Sequence, residues 1–413
     1  MRPRVLVARL DSDGDVLLAG PAIRAVRAGA RHVTLLVGPR GQQAARLLPA
    51  VDDVLVWRCP WIDATPDPVR RDDVEALVDR LARGGHDEAL VLTSFHQSPL
   101  PAALLLRMAG IGRIGAASTD YPGSLLDVRH RLPETGLHEV ERGLSTAAAF
   151  GYPRPAGDDG RLAVRGPLPD PTALTGPGRY VVLHPGTSVP ARGWPVARFG
   201  ALAAALARRG TRVVVTGGPD EVALTAAVRQ VGLAGTDQAA VGGFGAVRSA
   251  AATPCGTTPA AWRDLVVDLG GRTDLPMLAA VLDRAGAVVV ANTGPAHLAA
   301  AVGTPVVSLF APTVPAERWA PYTTRRLVLG DQAVSCAGCR ARDCPVDGHP
   351  CLDAVTPAEV VEAIDTLLTG RPGGRAHAAA PATPDPLSVL AAREPAAPAH
   401  LPALRMGAPG GDT

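Results

Sequence analysis

AVVVANTGPAHLAAAVGTPVVSLFAP, residues 287–312, is the stretch whose reading decides the fold. Ala287–Ala291 is an apolar run of strand length, Asn292, Thr293 and Gly294 interrupt it, Pro295 opens an alanine-rich helix, and Pro305–Phe310 is a second apolar run. Strand, short polar loop, helix with proline in its first turn, and strand again make one βαβ unit, which sets two parallel strands under a right-handed crossover. A hydroxyl, the free amides of a helix start and the imidazole of His297 converge on the loop. A helix N-terminus of this kind favours a phosphate oxygen.

The same alternation runs outward in both directions. Strands are expected at Val5–Leu10, His32–Val37, Val54–Trp57 and Ala89–Thr93, with helices at Val16–Ala28, Arg40–Leu48, Asp72–Arg83 and Pro99–Ala109. After a Pro-, Gly- and Asp-rich stretch it restarts with strands at Tyr180–His184, Arg212–Thr216 and Leu265–Leu269. Helices are expected there at Pro195–Arg208, Asp220–Val231, Leu275–Arg284 and Pro295–Val302. The fold class is therefore α/β, with two doubly wound parallel-sheet domains. Residues 1–152 form the first, 153–178 a linker and 179–369 the second. Residues 234–261 read as a surface insertion, and the Pro/Ala/Gly-rich residues 370–413 as a disordered tail. A last helix is expected at Thr356–Leu368, with Thr356 as N-cap, Pro357 after it and Glu359 closing a capping box.

Composition narrows the chemistry. The 413 residues carry 41 basic and 39 acidic side chains, a net charge of +2, and no basic run, so nucleic acid is not an expected partner. Every basic residue is arginine, which excludes Schiff-base lysines and a P-loop lysine. No segment approaches the ~18 apolar residues of a spanning helix, and the short apolar run Val5–Leu10 is not a signal peptide, so a cytoplasmic protein with at most peripheral membrane contact is expected. Gly110, Gly112 and Gly115 fit G-x-G-x-x-G but follow a helix, without the strand context of a dinucleotide site.

Four segments carry site chemistry. RLDSDGDV puts Asp13, Gly14 and Asp15 where strand one feeds its helix, the side of an open sheet on which ligands bind. Asp15 either caps that helix or reaches substrate. HPGTSVPARGWP offers His184, Gly186, Thr187, Ser188 and Arg192 as a diphosphate cradle, against a plain βα turn. TGGPDE offers Gly217 and Gly218 for close backbone approach, and Asp220 or Glu221 for ribose hydroxyls, against an acidic first turn. Asn292, Thr293, Gly294 and His297 complete the set. Separately, Cys336, Cys339, Cys344 and Cys351, spaced C-x2-C-x4-C-x6-C with His349 nearby, can close a structural zinc site, remain reduced thiols, or form a labile disulfide.

Taken together, D-G-D-V at Asp13–Val16, H-P-G at His184–Gly186, R-G-W-P at Arg192–Pro195, T-G-G-P-D-E at Thr216–Glu221 and N-T-G-P-A-H-L-A-A-A at Asn292–Ala301 resemble the heptosyltransferase family, glycosyltransferase family 9. The resemblance covers about residues 4–368. It implies the GT-B architecture: two facing Rossmann-like domains, acceptor on the first and nucleotide sugar on the second. It further implies inverting, metal-independent transfer of heptose or a related sugar from an ADP-linked donor to a glycan or glycolipid acceptor, as in lipopolysaccharide and cell-envelope biosynthesis. Asp15 falls on the family's catalytic base, and Arg192 where many members carry a lysine on the donor phosphate. Asn292 stands where heptose-transferring members usually have aspartate, which leaves the sugar open. Two other readings are a catalytically silent nucleotide-binding scaffold of the same fold and a nucleotide-sugar epimerase. Product chemistry separates them from a transferase.

Overall fold

The computed structural model describes residues 1–63, 65–133, 136–234, 262–323 and 325–370. The expected insertion past Ala234 and the expected tail past Gly370 lie outside these residues. In the first half, β1 (Arg4–Arg9), α1 (Asp13–Gly29), β2 (His32–Val37), α2 (Gln42–Leu47), β3 (Asp53–Val56) and α3 (Arg71–Arg83) are followed by β4 (Glu88–Val91), α4 (Leu100–Met108), β5 (Arg113–Ala117), β6 (Val128–His130) and α5 (Glu139–Ala149). A short α6 (Thr172–Thr175) leads to β7 (Tyr180–His184), α7 (Val196–Arg208), β8 (Arg212–Gly217), α8 (Val222–Ala234), β9 (Val266–Gly270) and α9 (Leu275–Asp283). Then come β10 (Ala287–Ala291), α10 (Gly294–Ala301), β11 (Val306–Leu309), α11 (Ala316–Trp319), β12 (Arg326–Leu329), α12 (Pro350–Asp353) and α13 (Pro357–Thr369).

Both sheets have six parallel strands in the same winding, β3-β2-β1-β4-β5-β6 and β9-β8-β7-β10-β11-β12. This is the Rossmann order, and it creates one crevice per sheet where the winding reverses: between β1 and β4, and between β7 and β10. The strands flanking the reversals are covered on both faces, which is why they read as unbroken apolar runs. Val5, Leu6, Val7 and all of Ala287–Ala291 are buried.

The sequence reading found the strands nearest the crevices and the edge strands β3 and β9; its misses lie toward the opposite edge of each sheet. β5, β6 and β12, and helix α5, were not expected. β5 reads RIGAA and lies across the glycine decoy, so its apolar character is thin. Gly115 within it leaves room for the Phe150 ring, which an added Cβ would overlap. The stretch 153–178 is an ordered strap: Leu162 is buried, Arg24 donates twice to the Asp158 carboxylate at 2.7 and 2.8 Å, and the Arg165 amide donates to the Leu47 carbonyl at 2.6 Å. Its polar composition is used for ion pairing to α1 in place of apolar burial. At α13 the Thr356 hydroxyl accepts from the Glu359 amide at 3.3 Å while Glu359 accepts from the Thr356 amide at 2.7 Å, the expected capping box. No described helix is long and apolar enough to cross a membrane.

Replacing Gly115 by valine should force the Phe150 ring out of its seat and cost about 1–3 kcal/mol of stability. A denaturant melt reads this directly. A midpoint equal to that of the unaltered protein would mean that the ring and strand do not depend on each other.

Candidate active site

The two crevices open onto one cleft of about 470 Å³. Its first wall comes from the loops after β1 and β4, and its second from the loops after β7 and β10. The walls meet at helix starts. An added Cβ on Gly14, at the start of α1, would lie 3.1 Å from the Gly294 Cα and 3.2 Å from the His297 ring. Two helices therefore point their positive N-termini at the same space, a setting that favours anions.

Asp15 lines this cleft from the first turn of α1. The Ser12 hydroxyl and amide donate to its Oδ2 at 2.7 and 3.2 Å, so it is a helix cap as well. Arg9, at the end of β1 and only 4% exposed, donates to Asp15 Oδ1 at 3.1 Å and sits 3.0 Å from Asp11. Burial alone would raise the Asp15 carboxyl. Arg9 and the Ser12 bonds outweigh it and hold Asp15 below the usual carboxylate range, while burial pushes Asp11 up despite Arg9. The two acids share one cation and part in opposite directions. Gln97 donates to Asp11 Oδ1 at 2.6 Å.

Asp13, expected beside Asp15 on the acceptor side, does not line the cleft. Its carboxylate accepts from the Ala44 amide at 2.9 Å, fastening α1 to α2, and burial raises it to about 6. Gly14 does line the cleft, and its lack of a side chain is what the Gly294 approach requires.

On the second wall, Arg192, Asn292, Thr293, Gly294 and His297 come together. Arg192 donates to the Thr313 hydroxyl at 3.2 Å and to the Asn292 carbonyl at 3.4 Å. Asn292 is 6% exposed, and both its amide oxygen and nitrogen lack a protein partner. His297 is 7% exposed with Nδ1 unpartnered, and burial lowers it to about 4, so it is neutral at pH 7. Buried polar groups almost always find a partner, so three such atoms at a helix start mark a place built for a ligand.

The remaining expected donor residues lie elsewhere. His184 Nδ1 is 3.0 Å from the Thr216 hydroxyl, and its Nε2 is 3.8 Å from Glu221. Glu221 accepts from the Gly218 amide at 2.8 Å, the acidic-cap alternative, and occupies the space that a side chain on Gly186 would need. Gly217 lies against Thr225. His184, Gly186, Gly217, Gly218 and Glu221 thus form a shelf beside the cleft, and they do not line it, nor do Thr187 and Ser188. Trp194 of R-G-W-P is buried and donates to the Val355 carbonyl at 3.1 Å, a structural role.

Sequence reasoning missed Arg9, which lies behind Asp15, and three parts of the cleft lining: the Ser94–Gln97 turn, Arg340 and Arg342. The two late arginines arrive on the cysteine loop. Arg340 donates its amide to the Thr313 carbonyl at 3.0 Å and stacks on Phe95, while the Arg342 carbonyl accepts from Ala191 at 2.9 Å. Cys336, Cys339, Cys344 and Cys351 line one small cavity against Ala191 and Thr313. His349 Nε2 is spent on the Ala191 carbonyl at 2.9 Å, and burial beside other thiols raises Cys351 to about 11. Among the described residues no group of three or more His, Cys, Asp or Glu side chains is spaced to hold a metal ion.

Two Rossmann-wound halves with a shared cleft at both winding reversals define the GT-B architecture. The family model described as glycosyltransferase family 9 (heptosyltransferase) matches residues 74–243 and 246–349, and the chain belongs to that family. It is 31% identical over 191 residues to lipopolysaccharide heptosyltransferase 3 of Escherichia coli, covering 46% of this chain and 47% of that protein. The same protein of strain K12 is 31% identical over 201 residues, 47% and 49% of the two chains. The chain spans about half the length of the curated relatives it matches. Among solved structures, E. coli ADP-heptose lps heptosyltransferase II superposes with a TM-score of 0.64 at 18% identity, over 89% of this chain and 99% of that one. A glycosyl transferase family 9 protein of Veillonella parvula does so with 0.64 at 20%, over 90% and 99%.

The lowered Asp15 has a consequence for stability. A carboxyl whose folded value lies below its unfolded 3.8 stabilises the fold above about pH 4, and that stabilisation is lost as pH falls through the folded value. Asp15→Asn should therefore melt below the unaltered protein at pH 7, with the gap narrowing by pH 3. A gap independent of pH would deny Asp15 its ion pair.

Proposed function

We propose that the protein is an inverting glycosyltransferase that moves heptose or a related sugar from an ADP-linked donor to a hydroxyl of a cell-envelope glycan or glycolipid, without a metal in the reaction. The observation that carries this reading is the pairing, in one cleft, of unpartnered buried Asn292 and His297 at a helix start with the ionised carboxylate of Asp15 opposite. Family membership and the similarity to lipopolysaccharide heptosyltransferase 3 support the sugar and the acceptor class. The reading belongs to the cytoplasm, with at most peripheral membrane contact.

In this mechanism the donor diphosphate lies on the Thr293 and Gly294 amides and against Arg192. Asn292 has a free donor and a free acceptor for sugar or phosphate oxygens. Asp15 takes the proton of an acceptor hydroxyl as its O–H bond breaks. The freed oxygen pair attacks the anomeric carbon from the face opposite the phosphate, and the bond to the diphosphate breaks with its electron pair leaving on the nucleotide. Charge building on that leaving group is met by Arg192 and the α10 dipole, donors fixed in place before reaction. Positioned general-base action of this type typically contributes ~10²–10⁴-fold. His184, Gly186, Thr187, Ser188, Gly217, Gly218 and Glu221 serve the nucleoside end, on the shelf beside the cleft.

Thermal melts with ADP-, GDP-, UDP- and dTDP-sugars test the donor. An ADP-sugar at a hundred times its dissociation constant should add about 2.7 kcal/mol, and the other bases less. Asp15→Asn should keep that ligand-induced shift and lose new glycosidic product. Turnover at the unaltered rate in this variant would remove Asp15 from the role, and an isomerised donor as the product would favour the epimerase.

A further inference from the structure

One buried carboxylate has no part in the mechanism above. Glu139, in the first turn of α5, has a side chain only 2% exposed. Burying a charge is costly unless it is paired, and Glu139 has two cations. Its Oε1 is 3.0 Å from Arg142 Nε, and its Oε2 is 3.9 Å from Arg9 NH1. Arg9 is the same guanidinium that holds Asp15 from its NH2 and Asp11 from its Nε. A small pocket of about 20 Å³, room for one water, lies on the far side of Asp15 and is lined by Arg9, Glu139, Arg142, Thr93 and Thr146. Asp15 thus lines both the open cleft and this small charged pocket.

The start of α5 is anchored. His138 Nδ1 accepts from the Val140 amide at 3.2 Å, which leaves the proton on Nε2, and Nε2 donates to the Ala320 carbonyl of the other half at 2.8 Å. Burial raises the Glu139 carboxyl above its ordinary value, while Arg9, Arg142 and the helix dipole at the start of α5 pull toward the ionised form. Other charges face these groups: Asp11, His96, His297 and Arg192 around Asp15, and Arg318 beside Glu139.

We infer that Glu139 and Arg142 are positioning residues for the base: through their ion-pair chain they draw on the Arg9 guanidinium from behind and so set how much of its charge reaches Asp15. A cation given wholly to Asp15 would leave that carboxylate a poor proton acceptor, and a cation withdrawn from it would let burial protonate it. The inference rests on Asp15 being the base, but its test does not need turnover.

The full-length protein labelled with ¹³C at aspartate side chains, with Asp15 assigned from Asp15→Asn, gives the Asp15 titration directly. Glu139→Gln removes a negative neighbour and should move that titration to lower pH. Arg142→Gln removes a positive one and should move it to higher pH, each by roughly half a pH unit or more. Where turnover is measurable, the acid limb of kcat should follow the same two directions with donor affinity unchanged. A purely structural role would lower stability in both variants and leave the titration in place, or move it the same way in both. Either result overturns the inference. If Glu139→Gln fails to fold, Arg142→Gln decides alone, since an unmoved titration in a folded variant is equally fatal. Opposite shifts with no sugar transfer detected would sustain the inference while removing the proposed reaction.

Discussion

The site depends on how closely α1 and α10 begin to one another. With a glycine at position 14, the first turns of the two helices approach backbone to backbone: a Cβ there would press on the Gly294 Cα and the His297 ring at 3.1 and 3.2 Å, whereas one at 294 would meet Gly14 only at ordinary contact distance. Each helix starts at the winding reversal of its own sheet, so a contact between two small residues brings two ligand crevices into register. Two positive helix ends, a base and a donor-side arginine then share one volume. An anion that enters is met by fixed dipoles in a place where water is partly excluded, and there those dipoles act at their strongest.

The charges within that volume are divided by depth. Arg9 is buried and committed to carboxylates, whereas Arg192 is offered to the cleft and bonded only to a hydroxyl and a carbonyl. Asp15 has its direct ion pair with Arg9, and it acts on Arg192 only across the cleft, without a hydrogen bond between them among the described residues. The cysteine loop adds Arg340 and Arg342 from a long way off in sequence, held by backbone bonds to the Ala191 turn and to Thr313.

How far the sequence spoke for itself varied with burial. Tyr180–His184 and Ala287–Ala291 coincide with their strands because strands beside a winding reversal are covered on both faces, and His32–Val37, one strand further out, coincides because it too is almost wholly buried. β6 and β12 lie at sheet edges, half-buried, with arginine and histidine among their few residues, and carry no such signal. The N-T-G-P loop was legible as a helix start, because threonine at the N-cap and proline in the first turn are ordinary opening residues, and as a candidate ligand position because that start follows a central strand. Asp13 misled because a carboxylate beside a catalytic loop looks the same whether it faces a substrate or an amide of its own fold. Arg9 was hidden for the opposite reason: one charge at the end of an apolar strand gives no hint, in one dimension, of three acids gathered from a loop and two helices.

Crystals grown with ADP test the central claim most directly. The account predicts diphosphate density on the Thr293 and Gly294 amides, within hydrogen-bond reach of Arg192 and with Asn292 newly bonded, and the Asp15 carboxylate facing it across the cleft. Diphosphate bound away from the start of α10, with Asn292 still unpartnered, would contradict it.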